Sequence, residues 1–530
     1  MTVSDDIRQL ESYPRRWWIL GVLCLSVVII GMDNFILNVA LPTLVRSLDA
    51  SETQLQWMVD SYILLFAALL LTMGSLGDRF GRRSVLQIGL VIFGVGSCFS
   101  AFSQSSNMLI MSRAFMGIGA AAIMPSTLSI LTNVFPQEER VRAIGIWAGA
   151  SAMGLAFGPI LGGWLLENFF WGSVFLINVP IAVFALVAGQ IILPNGRDPA
   201  APRLDPLGAA LSVVGLISLV YGIIEVPTKG WTSGEIIAAF AVAAVVLTLF
   251  AAWEIRIDHP MLNLRFFRNR SFTAANATTT LTFFALSSAL FFVTQYFQFV
   301  LGYSPLQTGI RLLPMVVTML IMSPISPRIA ERFGNKPSVA GGMAITAVTM
   351  FYFSKTTADS GYSTILISLV FMAVGMFLAM VPATNSIMSS LPPGKAGVGS
   401  AMNDTTRQVG GALGVAVLGS ILTSSYRSTI ASSLAALPPS ALATAKSSVG
   451  GAIAVGNAVG GPQGDAIANV AKDAFVRGMS HGLEVGAVFI LASAIVSLIW
   501  LPNRVIPAEE PEASHGEPEF GDRDEDATPA

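Results

Sequence analysis

The sequence of 530 residues is poor in charge: Asp, Glu, Lys and Arg make up 12% of it, against about 25% in soluble domains. Cysteine and histidine are scarcer still, with two and three residues. Cys24 and Cys98 lie in apolar runs, so we expect two free packing residues rather than a disulfide framework. The histidines, His259, His481 and His515, lie far apart in sequence, which does not resemble a metal site. The shortage of charge excludes a disordered protein, a coiled coil and an ordinary soluble enzyme.

Signatures of catalysis and of nucleotide binding are missing as well. No G-x-x-x-x-G-K-[ST] string occurs, which argues against ATP as an energy source. No Ser-His-Asp or Cys-His arrangement is recognisable, so we predict that the protein is not an enzyme; an embedded acyltransferase is the alternative from another class. The net charge of −2 offers no basic field for nucleic acid. We therefore predict no cofactor, no metal and no nucleic-acid partner.

Apolar runs, in contrast, are abundant, and hydrophobic residues make up 53% of the chain. A helix needs ~20 apolar residues to cross a bilayer, and about 14 such runs follow one another. They do not alternate polar and apolar residues as the strands of a membrane barrel do. We predict an all-α polytopic membrane protein with spans near 17–41, 54–76, 84–103, 108–132, 141–166, 172–193, 207–225, 234–254, 272–300, 306–327, 338–355, 363–390, 397–424 and 475–501.

The distribution of Lys and Arg predicts the orientation of these spans. Of the 30 cationic residues, about 20 lie on the side that holds the N-terminus and about 7 on the opposite side. We therefore expect a multi-pass protein of the inner (plasma) membrane with both termini in the cytoplasm. Residues 426–472 are too polar and too rich in glycine to span and are predicted to form an extracellular loop, either folded over the outer mouth or mobile, for which we favour partial helix. Residues 503–530 are rich in Pro, Glu and Asp and are predicted to be a disordered, acidic cytoplasmic tail.

The chain contains an internal repeat. The loop at 74–83 and the loop at 327–336 share an acidic residue, an Arg-Phe-Gly string and a final cation at the same offsets. Both follow an even-numbered span, so the two halves have the same orientation, and transporters built this way place the substrate path between halves. We predict six-helix halves at 1–200 and 257–502, separated by two additional helices at 201–256.

Two glycine-containing strings have a clear physical purpose. From Gly74 to Leu86 the chain reads G-x-L-x-D-R-x-G-R-[KR]-x-x-L, in which Asp78 can accept hydrogen bonds from helix-end amides and from Arg82. The alternative is an ordinary positive-inside loop. The residues of this string are Gly74, Gly77, Asp78, Arg79, Gly81, Arg82 and Arg83. The fifth span contains G-x-x-x-G-P-x-x-G-G, where glycine allows close helix approach and proline bends the span. Its residues are Gly154, Gly158, Pro159, Gly162 and Gly163.

Together with a third string in the fourth span, these motifs resemble the major facilitator superfamily and, within it, the 14-helix drug:proton antiporter family. The third string is Leu109, Arg113, Gly117 and Gly119, although Met116 stands where the family usually has Gln. The resemblance extends over 17–501 and implies a major facilitator fold that works by alternating access. It further implies that the 74–83 loop latches the halves in the outward-facing state. The embedded arginine is then linked to proton coupling, and the fifth-span string marks exporters.

Three ionisable residues lie inside spans of the N-terminal half. At 1.5 Å per residue, Asp33 is about 13 Å from the outer end of its span, Asp60 about 9 Å and Arg113 about 8 Å. A charge within a span costs ~2.5–3.5 kcal/mol even on the lenient insertion scale. One arginine can neutralise one carboxylate, so the other is left in a poor dielectric, where proton or cation binding is favoured. We predict that these three residues form the proton-coupling site.

The assignment of roles within this site has alternatives. We favour Asp33 as the coupling carboxylate, and a purely structural partner of Arg113 is the alternative. For Asp60, coupling and lining of the outer mouth are weighed equally, with a structural role as a third interpretation. Asp404 and Arg407, three residues apart, are expected to pair locally, and a gate of the C-terminal half formed by Arg407 with Asn403 and Gln408 is the alternative. Glu484 in the last span has no evident partner and is expected to be solvated.

A further set of residues is predicted to line the substrate path. Aromatic side chains in the ninth span suit a flat lipophilic cation through apolar contact and cation–π attraction, although most of them are expected to be lipid-facing. The predicted lining residues are Asn34, Asn38, Trp57, Tyr62, Phe292, Tyr296 and Arg407.

The residues and the resemblance together predict a proton-coupled antiporter. We expect it to export lipophilic, mainly cationic drugs, dyes and antiseptics from the cytoplasm as a monomer in the bilayer, driven by the proton gradient. The alternative is proton-coupled export of a dedicated endogenous compound, such as a lipid, a siderophore or a self-made antibiotic. The sequence does not separate these substrates.

Overall fold

The computed structural model describes residues 13–194, 205–257, 260, 264–390 and 396–501. The predicted tail at 503–530 lies outside the described residues. Within them the fold is all α-helical, without a strand. The helices are α1 Arg16–Leu48, α2 Glu52–Phe80, α3 Arg82–Ala101, α4 Ser106–Val134, α5 Gln137–Asn168, α6 Asn178–Ile192, α7 Pro206–Lys229, α8 Gly234–Arg256, α9 Arg270–Gln295, α10 Pro305–Phe333, α11 Asn335–Ser354, α12 Tyr362–Ser389, α13 Ala396–Ser433, α14 Pro439–Ser447, α15 Val449–Val459 and α16 Gly461–Trp500. A single turn, Ser173–Leu176, leads into α6, and a π-helical turn, Tyr296–Val300, continues α9.

The helices confirm the predicted polytopic membrane architecture. In the described part of the chain, 12 helices are long and apolar enough to cross a membrane. The two remaining long helices, α5 with 32 residues and α11 with 20, pack among them at the fifth and eleventh predicted spans. Each of the 14 predicted spans therefore falls on a helix. Cys24 and Cys98 are both free, as expected.

The internal repeat has a structural counterpart in α2 and α10. Each begins with a capping box: Ser51 with Gln54 in α2, and Ser304 with Gln307 in α10. In each box the serine hydroxyl and the glutamine side chain satisfy backbone N–H groups that the first turn leaves open. Each helix also ends on a glycine with positive φ, 111° at Gly81 and 98° at Gly334, a conformation that favours glycine. The two repeated loops thus start from the same backbone geometry.

The additional helices contact both halves of the molecule. Helices α1–α6 pack with one another, as do α9–α13 with α16, while α7 lies against both α2 and α13. Asp205 caps α7 by accepting from the backbone N–H of Gly208 at 2.8 Å and from the Trp253 indole at 2.9 Å. The cap therefore also ties α7 to the end of α8.

The predicted loop at 426–472 is largely helical, so its boundaries are corrected. Helix α13 continues to Ser433 and α16 begins at Gly461, which reduces the connection to residues 434–460. We call this connection the outer cap, and the end of the bundle that carries it the outer end, following the predicted orientation. Alanine is a strong helix former, and the short helices α14 and α15 are set by Pro439 at the start of α14 and by Ser448, which caps α15.

The outer cap is seated on the bundle rather than mobile. A methyl group added at Gly450 would lie 2.6 Å from Val45 on α1 and 2.9 Å from the Phe299 ring, so only glycine allows this approach. The fully buried Tyr426 hydroxyl donates to the carbonyls of Ala445 and Ser448, at 2.8 and 2.9 Å. Of the two alternatives that the sequence left open, the structure shows the folded one.

The two halves meet at the outer end through side-chain hydrogen bonds. Gln56 on α2 donates to Thr423 on α13 at 3.1 Å, and Gln298 donates to the Val39 carbonyl on α1 at 2.8 Å. The backbone N–H of Leu306 donates to Glu167 at 3.2 Å. Because these bonds join opposite halves, the conformation described is closed at its outer end.

We expect Tyr426→Phe to loosen the outer cap without unfolding the bundle. The substitution removes one donor from two buried carbonyls, which corresponds to about 1–3 kcal/mol, confined to the cap. Limited proteolysis at 434–460 should become faster while the melting temperature of the bundle changes little. Tyr352→Phe, at an exposed tyrosine on α11, is the matched control and should leave the cleavage rate unchanged.

Candidate functional site

A buried ion pair connects α1 and α4 in the N-terminal half. Asp33 and Arg113 are 0% and 1% exposed, and an Arg113 Nη1–H donates to Asp33 Oδ2. The other carboxylate oxygen accepts from the Asn178 amide on α6 at 3.1 Å. The same amide also donates to Ser97 on α3 at 3.3 Å. One carboxylate thus gathers side chains from three helices around it.

The remaining faces of the Arg113 guanidinium are also occupied. Its Nε–H donates to the Met58 carbonyl at 3.3 Å, and the Tyr62 ring lies 4.3 Å from the guanidinium carbon. The Met116 sulfur is 3.9 Å from Nη1, a weak acceptor at the position where the family usually has Gln. A cation in this setting depends on the Asp33 charge, because the other contacts are neutral.

Asp60 has a different environment from Asp33. It is 0% exposed, and neither carboxylate oxygen has a hydrogen-bond partner among the described residues. No Lys, Arg or His of the described chain lies within 4 Å of it. The expectation that one arginine serves one carboxylate is met: Arg113 pairs with Asp33, and Asp60 is left without a cation.

The glycine string of α5 is the contact surface of that helix. A methyl group added at Gly154 would lie 2.5 Å from the Gly31 carbonyl carbon and the Met32 nitrogen of α1. At Gly158 the Met32 oxygen is 3.0 Å away, and at Gly162 the Ile36 side chain is 3.0 Å away. The string therefore holds the Asp33 region of α1 close to α5.

The end of the string faces the other half. A methyl group at Gly163 would lie 2.5 Å from the Leu306 Cα on α10, and one at Gly309 would meet the Pro159 carbonyl. The α5–α10 contact is thus an interface between backbones at the outer end. Small residues are required there for closure.

The 74–83 loop makes its polar contacts within the N-terminal half. Asp78 accepts from Arg82 Nε–H at 2.8 Å and from the Ser129 hydroxyl at 3.4 Å. Arg83 donates to the carbonyls of Gln190 and Leu193, at 2.6 and 3.1 Å. The other members of the string show ordinary packing: Gly74 against Pro125, Gly77 against Ser126 and Arg79 over the Phe80 ring. A latch to the other half is not formed by these side-chain bonds.

The predicted lining residues fall into two groups. Asn34 and Asn38 lie on a half-exposed stripe of α1 and donate to carbonyls of their own helix at 3.0 and 2.9 Å, which leaves their oxygens free for a ligand. Trp57 donates to Glu225 of α7 at 3.3 Å and lines a cavity at the outer end. Arg407 pairs with Asp404 at 3.6 Å, as expected.

The aromatic residues form the second group, and they are fully buried. Tyr62 packs under Arg113, and Phe292 packs against Gly482 of α16. Tyr296 donates to the carbonyls of Thr357 and Ser360 at 2.7 and 3.2 Å, which ties α9 to an outer loop. In this conformation none of the three presents a surface to a substrate, so their contact with one stays a prediction.

Sequence reasoning missed two features that bear on the site. Asn178 received no role, although an amide in an apolar span was the available signal. Glu484 is solvated as expected, but its partner was not evident from the sequence: Lys355 at the end of α11 lies 2.7 Å from it. The two residues are distant in sequence and become adjacent only because α11 packs on α16.

The family profile described as "Major Facilitator Superfamily" matches residues 23–415. This protein belongs to the Major Facilitator Superfamily. Two curated relatives extend over almost the whole chain. The multidrug efflux pump LfrA of Mycolicibacterium smegmatis is 36% identical and covers 91% of this chain and 96% of its own. The tetracenomycin C resistance and export protein of Streptomyces glaucescens is 32% identical and covers 94% of each chain.

Solved structures agree with membership of the superfamily at the level of fold. A bacterial homolog of the human lysosomal transporter spinster, inward-facing and unoccupied, superposes with a TM-score of 0.66 at 17% identity, covering 93% of this chain and 99% of that one. The D-xylose-proton symporter gives 0.61 at 15% identity, covering 93% and 98%. The protein is thus a multi-pass membrane transporter and not an enzyme, as predicted.

We expect the Asp33–Arg113 pair to behave as a unit in stability measurements. Asp33→Ala leaves a buried guanidinium without its counter-ion and should lower stability by about 3–5 kcal/mol. Asp33→Asn with Arg113→Gln removes both charges and should recover most of that loss. Thermal unfolding of the purified protein in detergent measures both. Equal losses in the single and double variants would contradict the pairing.

We expect the two faces of α5 to differ in their tolerance of a methyl group. Gly154→Ala places Cβ against the α1 backbone and should cost about 1–3 kcal/mol through overpacking. Gly149→Ala, on the same helix with nothing within 4 Å of the added atom, should be neutral or stabilising. Chemical denaturation of the two variants, side by side, tests this. A similar loss at Gly149 would show that the effect does not come from the α1 contact.

Proposed function

We propose that this protein exports lipophilic, mainly cationic compounds from the cytoplasm in exchange for protons. The observation that carries the proposal is the buried trio in the N-terminal half, in which Arg113 pairs with Asp33 and the second carboxylate, Asp60, is left without a cation. Relatives named as a multidrug efflux pump, a methyl viologen resistance protein and a tetracenomycin C resistance and export protein support drug efflux as the activity. Methyl viologen is a flat dication, which suits a carboxylate site.

Asp60 is the group to which we assign exchange of proton and substrate. A buried carboxylate without a neighbouring cation is stabilised by a bound proton or by a bound cation, and the two exclude each other. Export of a cation then requires release of the proton, and return of the empty site requires its uptake. This exclusion is the minimum chemistry of an antiporter.

We assign to Asp33 and Arg113 the coupling between protonation of Asp33 and the packing of α1 against α4. The sequence favoured Asp33 as the coupling carboxylate, and its ion pair explains how coupling would act. A proton on Asp33 would leave the guanidinium with neutral contacts only, so α1 and α4 would have to rearrange. Because α1 packs on the α5 glycines, and α5 contacts α10, this rearrangement reaches the other half.

The remaining elements fit alternating access. The outer end is closed through Gln56, Gln298 and the α5–α10 backbone contact, whereas the 74–83 loop is free to latch the halves when the inner end closes. We place the protein in the inner membrane as a monomer with both termini in the cytoplasm. The proton gradient supplies the energy, with no cofactor.

Export of one endogenous compound is the second candidate. One relative is named for resistance to and export of a single compound, tetracenomycin C, and Phe292 and Tyr296 are fully buried in this conformation. A dedicated neutral substrate would need the carboxylates for protons but not for recognition. This candidate predicts proton-dependent transport without competition by lipophilic cations.

The test uses purified protein in liposomes with an imposed pH gradient and a fluorescent lipophilic cation as substrate. We expect gradient-driven transport by the wild type and a loss of at least tenfold in Asp60→Asn. Asp33→Asn should also lose transport, measured per folded protein because the unpaired Arg113 lowers stability, and the more stable double variant with Arg113→Gln should lose it as well. The matched control is Glu484→Gln, at a carboxylate half-exposed at the outer end and paired with Lys355. It should transport like the wild type.

Three outcomes separate the candidates. Full transport by Asp33→Asn and Asp60→Asn would overturn the site. Proton-driven transport of a neutral aromatic compound, with no transport of the cation, would favour the dedicated exporter. Equal transport rates with and without the pH gradient would exclude proton coupling.

A further inference from the structure

Another buried carboxylate lies at the outer end, away from the trio. Glu52 is the first residue of α2 and is 1% exposed. Its neighbour Ser51 caps the helix, so the Glu52 side chain is not used for capping. A carboxylate at a water-facing helix start is normally solvated, so its complete burial needs an explanation.

Glu52 touches three parts of the molecule. The Gln295 amide, at the end of α9 in the other half, lies 3.0 and 3.2 Å from the two carboxylate oxygens when its NH2 group faces them. The backbone N–H of Val449, the first residue of α15, approaches the same carboxylate. Glu52 therefore joins the N-terminal half, the C-terminal half and the outer cap at one point.

No cation neutralises this carboxylate. Within the described chain, no Lys, Arg or His lies within 4 Å of Glu52. The titratable group facing it from α13 is Tyr426, whose hydroxyl donates to the outer cap. On α1, Arg46 stacks on Phe299 at 5.5 Å. From α9 and α15 only the Gln295 amide and a backbone N–H approach it.

The amide partner can satisfy either form of the acid. With Glu52 ionised, the Gln295 NH2 group donates to it; with Glu52 protonated, the O–H donates to the Gln295 oxygen after a rotation of the amide. The charged form is dehydrated here without an opposite charge, whereas the neutral form keeps its hydrogen bonds. Closure therefore favours the protonated form.

We propose that Glu52 is a second proton-binding site, which takes its proton from the outer solution and seals the outer end when occupied. Opening of that end must separate α2 from Gln295 and Val449, so water reaches the carboxylate and hydrates its charge. Closing removes the water, so a proton must bind first. The inference deepens the proposed antiport: it supplies a step in which an external proton returns the emptied transporter to the closed state.

The proposal is tested by measuring closure directly, without transport. Spin labels are placed at Gln104→Cys and Ala358→Cys, in outer loops of opposite halves, after replacement of Cys24 and Cys98 by Ser. Electron–electron distances in nanodiscs are recorded from pH 5 to pH 8, with no pH gradient. We expect the short distance to dominate at low pH and a longer one to appear as the pH rises.

Glu52→Gln mimics the protonated acid and should keep the short distance across the whole pH range. Glu225→Gln is the matched control: this half-buried carboxylate lies at the outer end of α7 and accepts from Trp57. It should retain the wild-type response. If Glu52→Gln does not fold, Glu52→Asp withdraws the acid from its partners by one methylene and should shift the midpoint, whereas Glu225→Asp should not.

Several results would overturn the assignment. One is a label-to-label distance in the wild type that does not change with pH. The others are a distance that still changes with pH in Glu52→Gln, and an equal loss of the pH dependence in Glu225→Gln. The readout also separates this inference from the proposed function. Asp60→Asn should lose transport yet keep the pH-dependent closure. A distance that no longer changes with pH in Asp60→Asn, together with a wild-type pH response in Glu52→Gln, would transfer the effect to Asp60.

Discussion

A charge that has left water must find a counter-charge, a proton or a ligand, and this requirement organises the N-terminal half. Arg113 meets it with Asp33, and the pair draws Asn178 and Tyr62 into fixed positions around it. Asp60 does not meet it within the described chain. The difference between the two carboxylates therefore follows from the position of a single guanidinium. In the proposed antiport, this difference leaves Asp60 able to bind either a proton or a cation.

Close backbone packing allows a change in the charge on Asp33 to move neighbouring helices. The α5 glycines hold α1 at a distance where a single methyl group would clash, so a shift of α1 cannot be absorbed by side-chain movement. The same helix ends against α10 at Gly163, which is a contact between halves. A change in the charge on Asp33 and the closure of the outer end are thus linked through one continuous packed helix. The link requires only that the helices move as rigid bodies.

Most of the architecture was predictable, because hydropathy and short motifs depend on neighbours in sequence. The spans, the glycine string and the Asp404–Arg407 pair all belong to this class. The Lys355–Glu484 pair and the burial of Tyr296 depend on which helices pack together, and periodicity does not contain that information. The loop at 426–472 was expected to be partly helical, but its bounds were wrong for another reason: glycine and polar residues weaken an isolated span, yet they permit helices that are supported by packing. Which of Asp33 and Asp60 pairs with Arg113 also depends on how the helices pack, and the sequence does not show this.

The contacts of the two additional helices, α7 and α8, show where they lie relative to the two halves. Helix α7 lies between α2 and α13, which belong to different halves and must separate when the outer end opens. Hydrogen bonds join α7 to α2 at three pairs: Trp57–Glu225, Thr53–Thr228 and Ser212–Ala68. Toward α13, the Ser420 hydroxyl donates to the Ile223 carbonyl. In the described chain the polar contacts with α2 outnumber those with α13. Helix α7 therefore packs on both sides of the seam between the halves, and opening of the outer end must break one of its two sets of contacts.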